Sequence, residues 1–129
     1  MTFSSVAPEA DTIRLITQLV FNINSGTAVT TAYNLYLFTA SKASSQADDA
    51  AFSMAAADRT LLIGGGPIYI PQPVIMPGTN FQTILIPNLN IEVYMTGTGL
   101  EAYLVNTTTA TPQAVAHEVV LFSRPIGVV

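Results

Sequence analysis

Few residues in this chain have side chains suited to catalysis or metal binding. His117 is the single histidine, and Glu118 follows it directly. A histidine paired with a carboxylate could serve as a general acid or base, but adjacent residues of a strand point to opposite faces of a sheet. No second histidine and no cysteine is present to complete a metal site or to supply a thiolate. The pattern favours a packing role for His117, and it predicts no catalytic residue.

Carboxylates and glycines offer two further sites to consider. Asp48, Asp49 and Asp58 form the densest acidic group, but they lack the alternating oxygen ligands of a calcium loop. We expect them to cap a helix end and to face solvent. The glycines at 64–66 resemble a phosphate-binding loop only in their glycine content, because no Lys-Ser or Lys-Thr pair follows them. They predict a tight bend, and the chain as a whole predicts no cofactor and no metal.

Charged residues are scarce along the whole chain. There are four basic and eight acidic residues among 129, whereas an average soluble domain of this length would carry about 32 charges. The cations Arg14, Lys42, Arg59 and Arg124 are scattered, and a nucleic-acid interface needs them clustered. No apolar run approaches the roughly 18 residues of a membrane span, and the first residues show no signal-peptide pattern. We therefore expect neither a nucleic acid nor a membrane as partner.

A period of two dominates the elements that must position these residues. In Thr12–Asn24 it predicts one core face, with Ile13, Leu15, Leu19, Phe21 and Ile23. The other face is predicted to be a partly apolar outer face, with Arg14, Ile16, Gln18, Val20 and Asn22. Comparable patterns predict further strands at 33–39, 81–86, 91–96, 100–106 and 115–123.

Turn residues separate these strands, and 87–90 is one such predicted turn. The alanine-rich segment Asp48–Arg59 is the one helical candidate, which gives a short helix near 48–58. Short strands with turns between them are typical of an all-β protein built as a single antiparallel β-sandwich.

The segment 67–78 contains four prolines and is unusual in its apolar content. Proline donates no ladder hydrogen bond, so we expect an extended arm at a sheet edge rather than a central strand. The predicted organisation is an N-terminal arm at 1–10 and one sandwich domain at 11–129 that includes this proline-rich arm. The two arms supply the residues that we expect to form an interface: Phe3, Val6, Pro67, Ile68, Tyr69, Ile70, Val74, Ile75 and Met76.

One block of the sequence is similar to a known group of proteins. The run Leu35–Thr39 is followed by Asp48–Phe52, by Ala57–Arg59 and by Leu61–Gly64. It resembles a block in small virion structural proteins of tailed bacteriophages, in which an L-x-L-F strand precedes D-x-A-F and L-[LIV]-G. Ala102–Val105 is close to a later strand of the same proteins. The resemblance implies a jelly-roll-like sandwich and a role as a head decoration or cement protein.

Composition and resemblance together predict a non-enzymatic protein of the virion, made in the host cytoplasm. Its expected partners are the major capsid protein and copies of itself, as a homotrimer. Neutral polar residues with exposed apolar groups suit permanent interfaces, where buried charge is costly. A carbohydrate-binding or host-adhesion module is the alternative, because tyrosines could line a glycan platform: Tyr33, Tyr36, Tyr69, Tyr94 and Tyr103.

Overall fold

The protein is an all-β sandwich of two antiparallel sheets. The computed structural model describes residues 2–3, 12–24, 31–39, 53–75, 81–95, 99–107 and 117–128. Nine strands lie in these ranges: β1 (Thr2–Phe3), β2 (Thr12–Asn24), β3 (Tyr33–Phe38), β4 (Ile68–Ile70), β5 (Val74–Ile75), β6 (Phe81–Ile86), β7 (Ile91–Met95), β8 (Leu100–Asn106) and β9 (His117–Val128). The predicted all-β sandwich is thereby confirmed.

The smaller sheet has four strands in the order β1-β8-β3-β4. Its strand β3 is central, as the apolar residues on both of its faces predict. Of the predicted N-terminal arm at 1–10, only residues 2–3 are described, and they pair with β8 as an edge strand.

The larger sheet is organised around β2, the longest strand. One edge of β2 pairs with β9 from Thr12 to Ile23. Its other edge pairs with β7 in the first half and with β6 in the second half, and β5 extends the sheet beyond β6. All of these pairings are antiparallel, so β2 reaches three other strands through its backbone.

The core lies between the two sheets. Leu19, Phe21 and Ile23 of β2 face Leu35 and its neighbours from β3, and all of these side chains are excluded from solvent. The rings of Phe21 and Tyr33 contact each other across the core at 5.1 Å between centroids. Burying an apolar side chain of this size contributes about 1.5–3 kcal/mol, so this cluster is the main source of stability.

A β-bulge divides β2 and changes which of its residues face the core. Ile16 pairs with Ser123 and Gln18 with Phe122, so Thr17 is the extra residue. Before the bulge Thr12, Arg14 and Ile16 are buried, and after it Leu19, Phe21 and Ile23 are buried. The single core face expected for Ile13, Leu15 and the later residues is therefore wrong for the first half of the strand, because one inserted residue inverts the period.

The predicted turn at 87–90 is not a reversal of the chain. β6 and β7 run in the same direction along the same edge of β2, with Ile86 opposite Leu19 and Ile91 opposite Ile16. Residues 87–90 form a four-residue bulge opposite Thr17 and Gln18, in which Asn88 and Asn90 take φ values of 57° and 49°. The backbone N–H of Leu89 donates to the Thr17 carbonyl at 2.9 Å, which holds this bulge against the bulge of β2.

The predicted helix is shorter and of another type. Residues 48–52 lie outside the described ranges, residues 53–55 are not helical, and Ala56–Leu61 is a 3-10 helix. Leu62 leaves the helix because it takes an extended conformation and bridges to Phe38 beside β3. A tertiary contact therefore overrides the helical preference of the alanines.

The proline-rich segment supplies edge strands to both sheets. β4 is an edge of the four-stranded sheet and β5 is an edge of the five-stranded sheet, with Pro71 and Pro73 between them. The described part, 67–75, thus has the extended edge conformation that its prolines predict.

Candidate interaction surface

The residues with the most chemical potential occupy separate places in the sandwich. His117 faces the core, stacked on Phe21 at 6.1 Å and edge-on to Tyr33 at 5.9 Å between ring centroids. Glu118 points to the opposite face, where it is exposed. The expectation that His117 and Glu118 do not meet is confirmed, and His117 belongs to an aromatic cluster of the core. Burial in this cluster raises the pKa of the Tyr33 phenol through desolvation.

Asp58 is not solvent-exposed, so that expectation is wrong. It lies in the first turn of the 3-10 helix, where its side chain is 1% exposed. Its backbone N–H donates to the Ala55 carbonyl at 3.0 Å. Asp48 and Asp49 lie outside the described ranges. Within those ranges, no three His, Asp or Glu side chains come together as metal ligands.

The glycines at 64–66 form the predicted tight bend. Gly64 and Gly65 take φ values of 73° and 72°, a left-handed conformation that residues with a Cβ rarely adopt. The bend takes the chain from the bridge at Leu62 to the start of β4.

The period of two predicts Arg14 on the outer face of β2, and this prediction is wrong because the side chain is buried on the core side. Its guanidinium Nε donates to Ser123 Oγ at 2.9 Å, and its second terminal nitrogen donates to the Ser123 carbonyl at 3.3 Å. The side chain is 8% exposed. These bonds connect β2 to β9 from the core side, and they make Arg14 a structural residue.

The expected interface residues of the proline-rich arm divide between core and surface. Ile68 and Ile70 are core residues, so they are not available for contact with another molecule. The reason is the period of two, because Tyr69 between them points outward and is 59% exposed. Val74, at 67%, and Ile75 are also exposed.

Pro67 is exposed as well. The backbone of Phe3 belongs to β1. Val6 and Met76 lie outside the described residues.

The outward side of the five-stranded sheet is largely apolar. Residues directly opposite each other in antiparallel strands share a face, which places Leu85, Val20 and Val120 in one row across three strands. Several of these side chains are substantially exposed, with Leu85 at 53%, Phe81 at 50% and Phe122 at 42%. We call this surface the apolar outer face; it comprises Val20, Val74, Phe81, Leu85, Val120 and Phe122.

A polar row crosses this face beside the apolar one. Thr83 Oγ1 donates to Asn22 Oδ1 at 2.7 Å, and Asn22 Nδ2 donates to Glu118 Oε1 at 2.9 Å. The three residues belong to β6, β2 and β9, so the hydrogen bonds connect side chains across the sheet. They fix the position of the Glu118 carboxylate at the β9 side of the apolar outer face.

The outer edge of β9, on the side away from β2, borders the same face. No described strand pairs with the side of β9 that points away from β2. An open edge carries unpaired backbone donors and acceptors and is a template for another strand. β9 contains no lysine, and only Pro125 and a register shift near Ile126 interrupt it.

The tyrosines do not form one platform. Tyr33 is buried in the core, and Tyr94 is exposed on the five-stranded sheet. Tyr36, Tyr69 and Tyr103 share the outward side of the four-stranded sheet, where Tyr36 lies opposite Tyr103. This group of three is the only part of the predicted set that the described structure brings together.

Sequence reasoning missed most of the apolar outer face. Val20, Leu85, Val120 and Phe122 were not identified as contact residues. A signal was present, because β2, β6 and β9 carry apolar residues at both parities. Strands with two apolar faces are usually covered on both sides, and here the described residues cover only one.

No helix among the described residues is long and apolar enough to cross a membrane. Comparisons of the chain with protein-family models, with curated proteins and with solved structures found no match.

Proposed function

We propose that this protein is a non-enzymatic structural component of a virion that decorates or cements a tailed-phage capsid. In this role it stabilises the shell through contacts with the major capsid protein and with copies of itself. The observation that carries the proposal is the apolar outer face, which presents large exposed side chains over several neighbouring strands. Contiguous apolar patches of this kind are rare on free monomers and mark interaction sites.

The scarcity of charge supports the same function. Among the described residues, the outward side of the five-stranded sheet carries two carboxylates, Glu92 and Glu118, and one cation, Arg124. A surface with so few charges loses little electrostatic solvation when another protein covers it. A permanent place in a shell would use that property, whereas a freely diffusing monomer would not.

The jelly-roll-like arrangement that the resemblance implies is part of this proposal. The pair β3–β8 lies within the pair β2–β9 along the chain, and the two pairs belong to different sheets, as in a double-sheet jelly roll. The pairs β1–β8 and β2–β6 do not follow this nesting.

The test is binding of the purified protein to capsids assembled from the major capsid protein that is encoded nearest to its gene. We expect co-sedimentation at a fixed ratio per capsid and a higher melting temperature of the decorated shell. A protein that stays monomeric in dilute solution and does not bind these capsids would overturn the proposal. The homotrimer implied by the resemblance is checked by the mass of the purified protein.

A carbohydrate-binding or adhesion module is the second candidate, and Tyr36, Tyr69 and Tyr103 favour it. Their rings lie on one side of one sheet, where tyrosine can contact a sugar through both its ring and its hydroxyl. Under this function, Tyr69→Ala would weaken glycan binding, whereas Tyr94→Ala on the opposite sheet would not. A glycan screen without binding would rule it out.

A further inference from the structure

We propose that the edge of β9 that no described strand pairs with binds β9 of a second copy, antiparallel and about a two-fold axis at Leu121. The pairing joins two five-stranded sheets into one continuous sheet. It rests on the self-contact of the proposed function, with a two-fold axis in place of the three-fold symmetry that the resemblance implies. It does not depend on a capsid, because it concerns the protein in solution. The second copy is called the partner below.

Alternate side chains of β9 share one face of the sheet. Glu118 lies opposite Asn22, Val120 opposite Val20, and Arg124 opposite Leu15. All three point outward, away from the core, because the alternate residues of β9 pair with buried residues of β2. The bulge in β2 does not alter this alternation, since the extra residue belongs to β2 and not to β9 between 117 and 125.

The charges of Glu118 and Arg124 make β9 complementary to a second copy of itself. An antiparallel pair centred on Leu121 places Glu118 opposite the partner's Arg124, because each lies three residues from the centre. The two-fold axis repeats the contact, so the dimer contains two such pairs on its outward face. Opposite charges directly across a ladder are stabilising, and like charges are destabilising. Asn22 on β2 donates to Glu118 Oε1, which leaves Oε2 of this carboxylate to accept from the partner's Arg124.

The two neighbouring registers of the β9 pair lack this charge complementarity. A centre at Val120 would set Glu118 opposite the partner's Phe122, and a centre at Phe122 would set Arg124 opposite the partner's Val120. In both cases a charged group faces an apolar side chain without an opposite charge. With the centre at Leu121, Val120 instead meets the partner's Phe122, so apolar residues pair with apolar ones. The sequence of β9 is therefore self-complementary in one register.

The ends of the ladder are consistent with this register. His117 would lie opposite the partner's Pro125, and proline cannot continue a ladder as a donor. Beyond Pro125 the register shift near Ile126 turns the strand. The paired segment, 118–124 in each copy, is then about 24 Å long at about 3.4 Å per residue. Both apolar outer faces lie on the same side of the joined sheet and form one larger surface.

The experiment measures the dimer dissociation constant by sedimentation equilibrium for charge reversals in β9. Arg124→Glu places two carboxylates together at each pair, and we expect it to weaken the dimer about ten-fold or more. Glu118→Arg should have a similar effect by bringing guanidinium groups together. The double variant Glu118→Arg/Arg124→Glu restores both pairs, and we expect a dissociation constant within about three-fold of the unaltered protein. Arg59→Glu is the matched control, since it makes the same charge change on the exposed 3-10 helix.

A second measurement tests the register without depending on charge. The chain has no cysteine. A mixture of the single variants Val120→Cys and Phe122→Cys should give a disulfide-linked heterodimer under mild oxidation, whereas either variant alone, or Val20→Cys in the centre of the sheet, should not give a cross-linked dimer. Recovery of the dimer in the charge-swapped double variant together with this cross-link supports the pairing. A monomer, a trimer unaffected by the β9 variants, or single reversals without effect would overturn it. A dimer that fails to bind capsids would refute only the proposed capsid role.

Discussion

Leu85 and Ile84 are adjacent residues on opposite faces of β6, and they separate the role of the surface from the role of the core. Leu85 is 53% exposed on the apolar outer face, while Ile84 packs against the core cluster. Fully burying a leucine side chain is worth about 1.5–3 kcal/mol. About half of this free energy remains to be gained when another molecule covers Leu85, which is about 1 kcal/mol.

We therefore expect Leu85→Ser to weaken association with a capsid about five-fold, while the free energy of unfolding falls by less than about 1 kcal/mol. The reverse is expected for Ile84→Ser, which should lower the free energy of unfolding by about 2–4 kcal/mol through the loss of core packing. Replacing four residues of this face by serine together should weaken association by about 4 kcal/mol, which is about a thousand-fold in the dissociation constant. The four are Val74, Phe81, Leu85 and Phe122.

The assay combines urea unfolding of each variant with co-sedimentation and sedimentation equilibrium. Stability and association should change independently in the two single variants. If Leu85→Ser destabilised the fold as much as Ile84→Ser and left association unchanged, the outward side of the sheet would be covered within the chain. Exposed apolar area would then not identify the contact surface of this sheet.

Three further predictions concern the fold. Ser123→Ala should lower the free energy of unfolding by about 1–3 kcal/mol, because it leaves the buried Arg14 guanidinium without its hydroxyl acceptor. Ser123→Thr keeps the hydroxyl and should lose less stability. Equal urea midpoints for the two variants would contradict this prediction. Because the pKa of Tyr33 is raised in the folded protein, the neutral phenol contributes stability that is complete below about pH 10 and is lost as the pH rises through the raised pKa. Tyr33→Phe should therefore lose less stability in this alkaline range, as measured by circular dichroism. Gly64→Ala should cost about 1–2 kcal/mol because φ is 73° there, whereas Gly66→Ala, with extended backbone and open space around it, should leave the melting temperature unchanged.

The strands were predictable from the period of two, and their bulges were not. The bounds of β2, β6 and β8 match those expected from the sequence. The inversion within β2 depends on a single extra residue, Thr17, whose place is decided by pairing with β9. Nothing local distinguishes such a residue from its neighbours, because the pattern on either side is equally regular.

The segment 87–90 shows a second kind of limit. Pro87, Asn88 and Asn90 are residues that commonly reverse a chain, and here they adopt the turn-like dihedral angles without reversing it. The bond from Leu89 to Thr17 keeps the chain on the same edge of β2. A sequence indicates a departure from the extended conformation, but the direction taken afterwards is set by a partner strand far away.

The surface was only partly predictable for a related reason. The proline-rich arm supplies Tyr69, Val74 and Ile75 to the outside, but alternation sends Ile68 and Ile70 to the core. The apolar outer face arises from strands that are distant in sequence, and its rows exist only once their registers are known.

The central place of β2 has a consequence for how the chain acquires its structure. β2 ends at residue 24, but the strands that pair with it occupy residues 81–95 and 117–128. During synthesis this apolar strand therefore leaves the ribosome without any of its backbone partners, and the last of them arrives some 90 residues later. Folding that depends on such distant contacts is slow, because loop closure must precede the reward of pairing. We expect the newborn chain to spend this interval with β2 exposed, which makes early chaperone binding, or rapid completion of translation, a requirement for a good yield of folded protein.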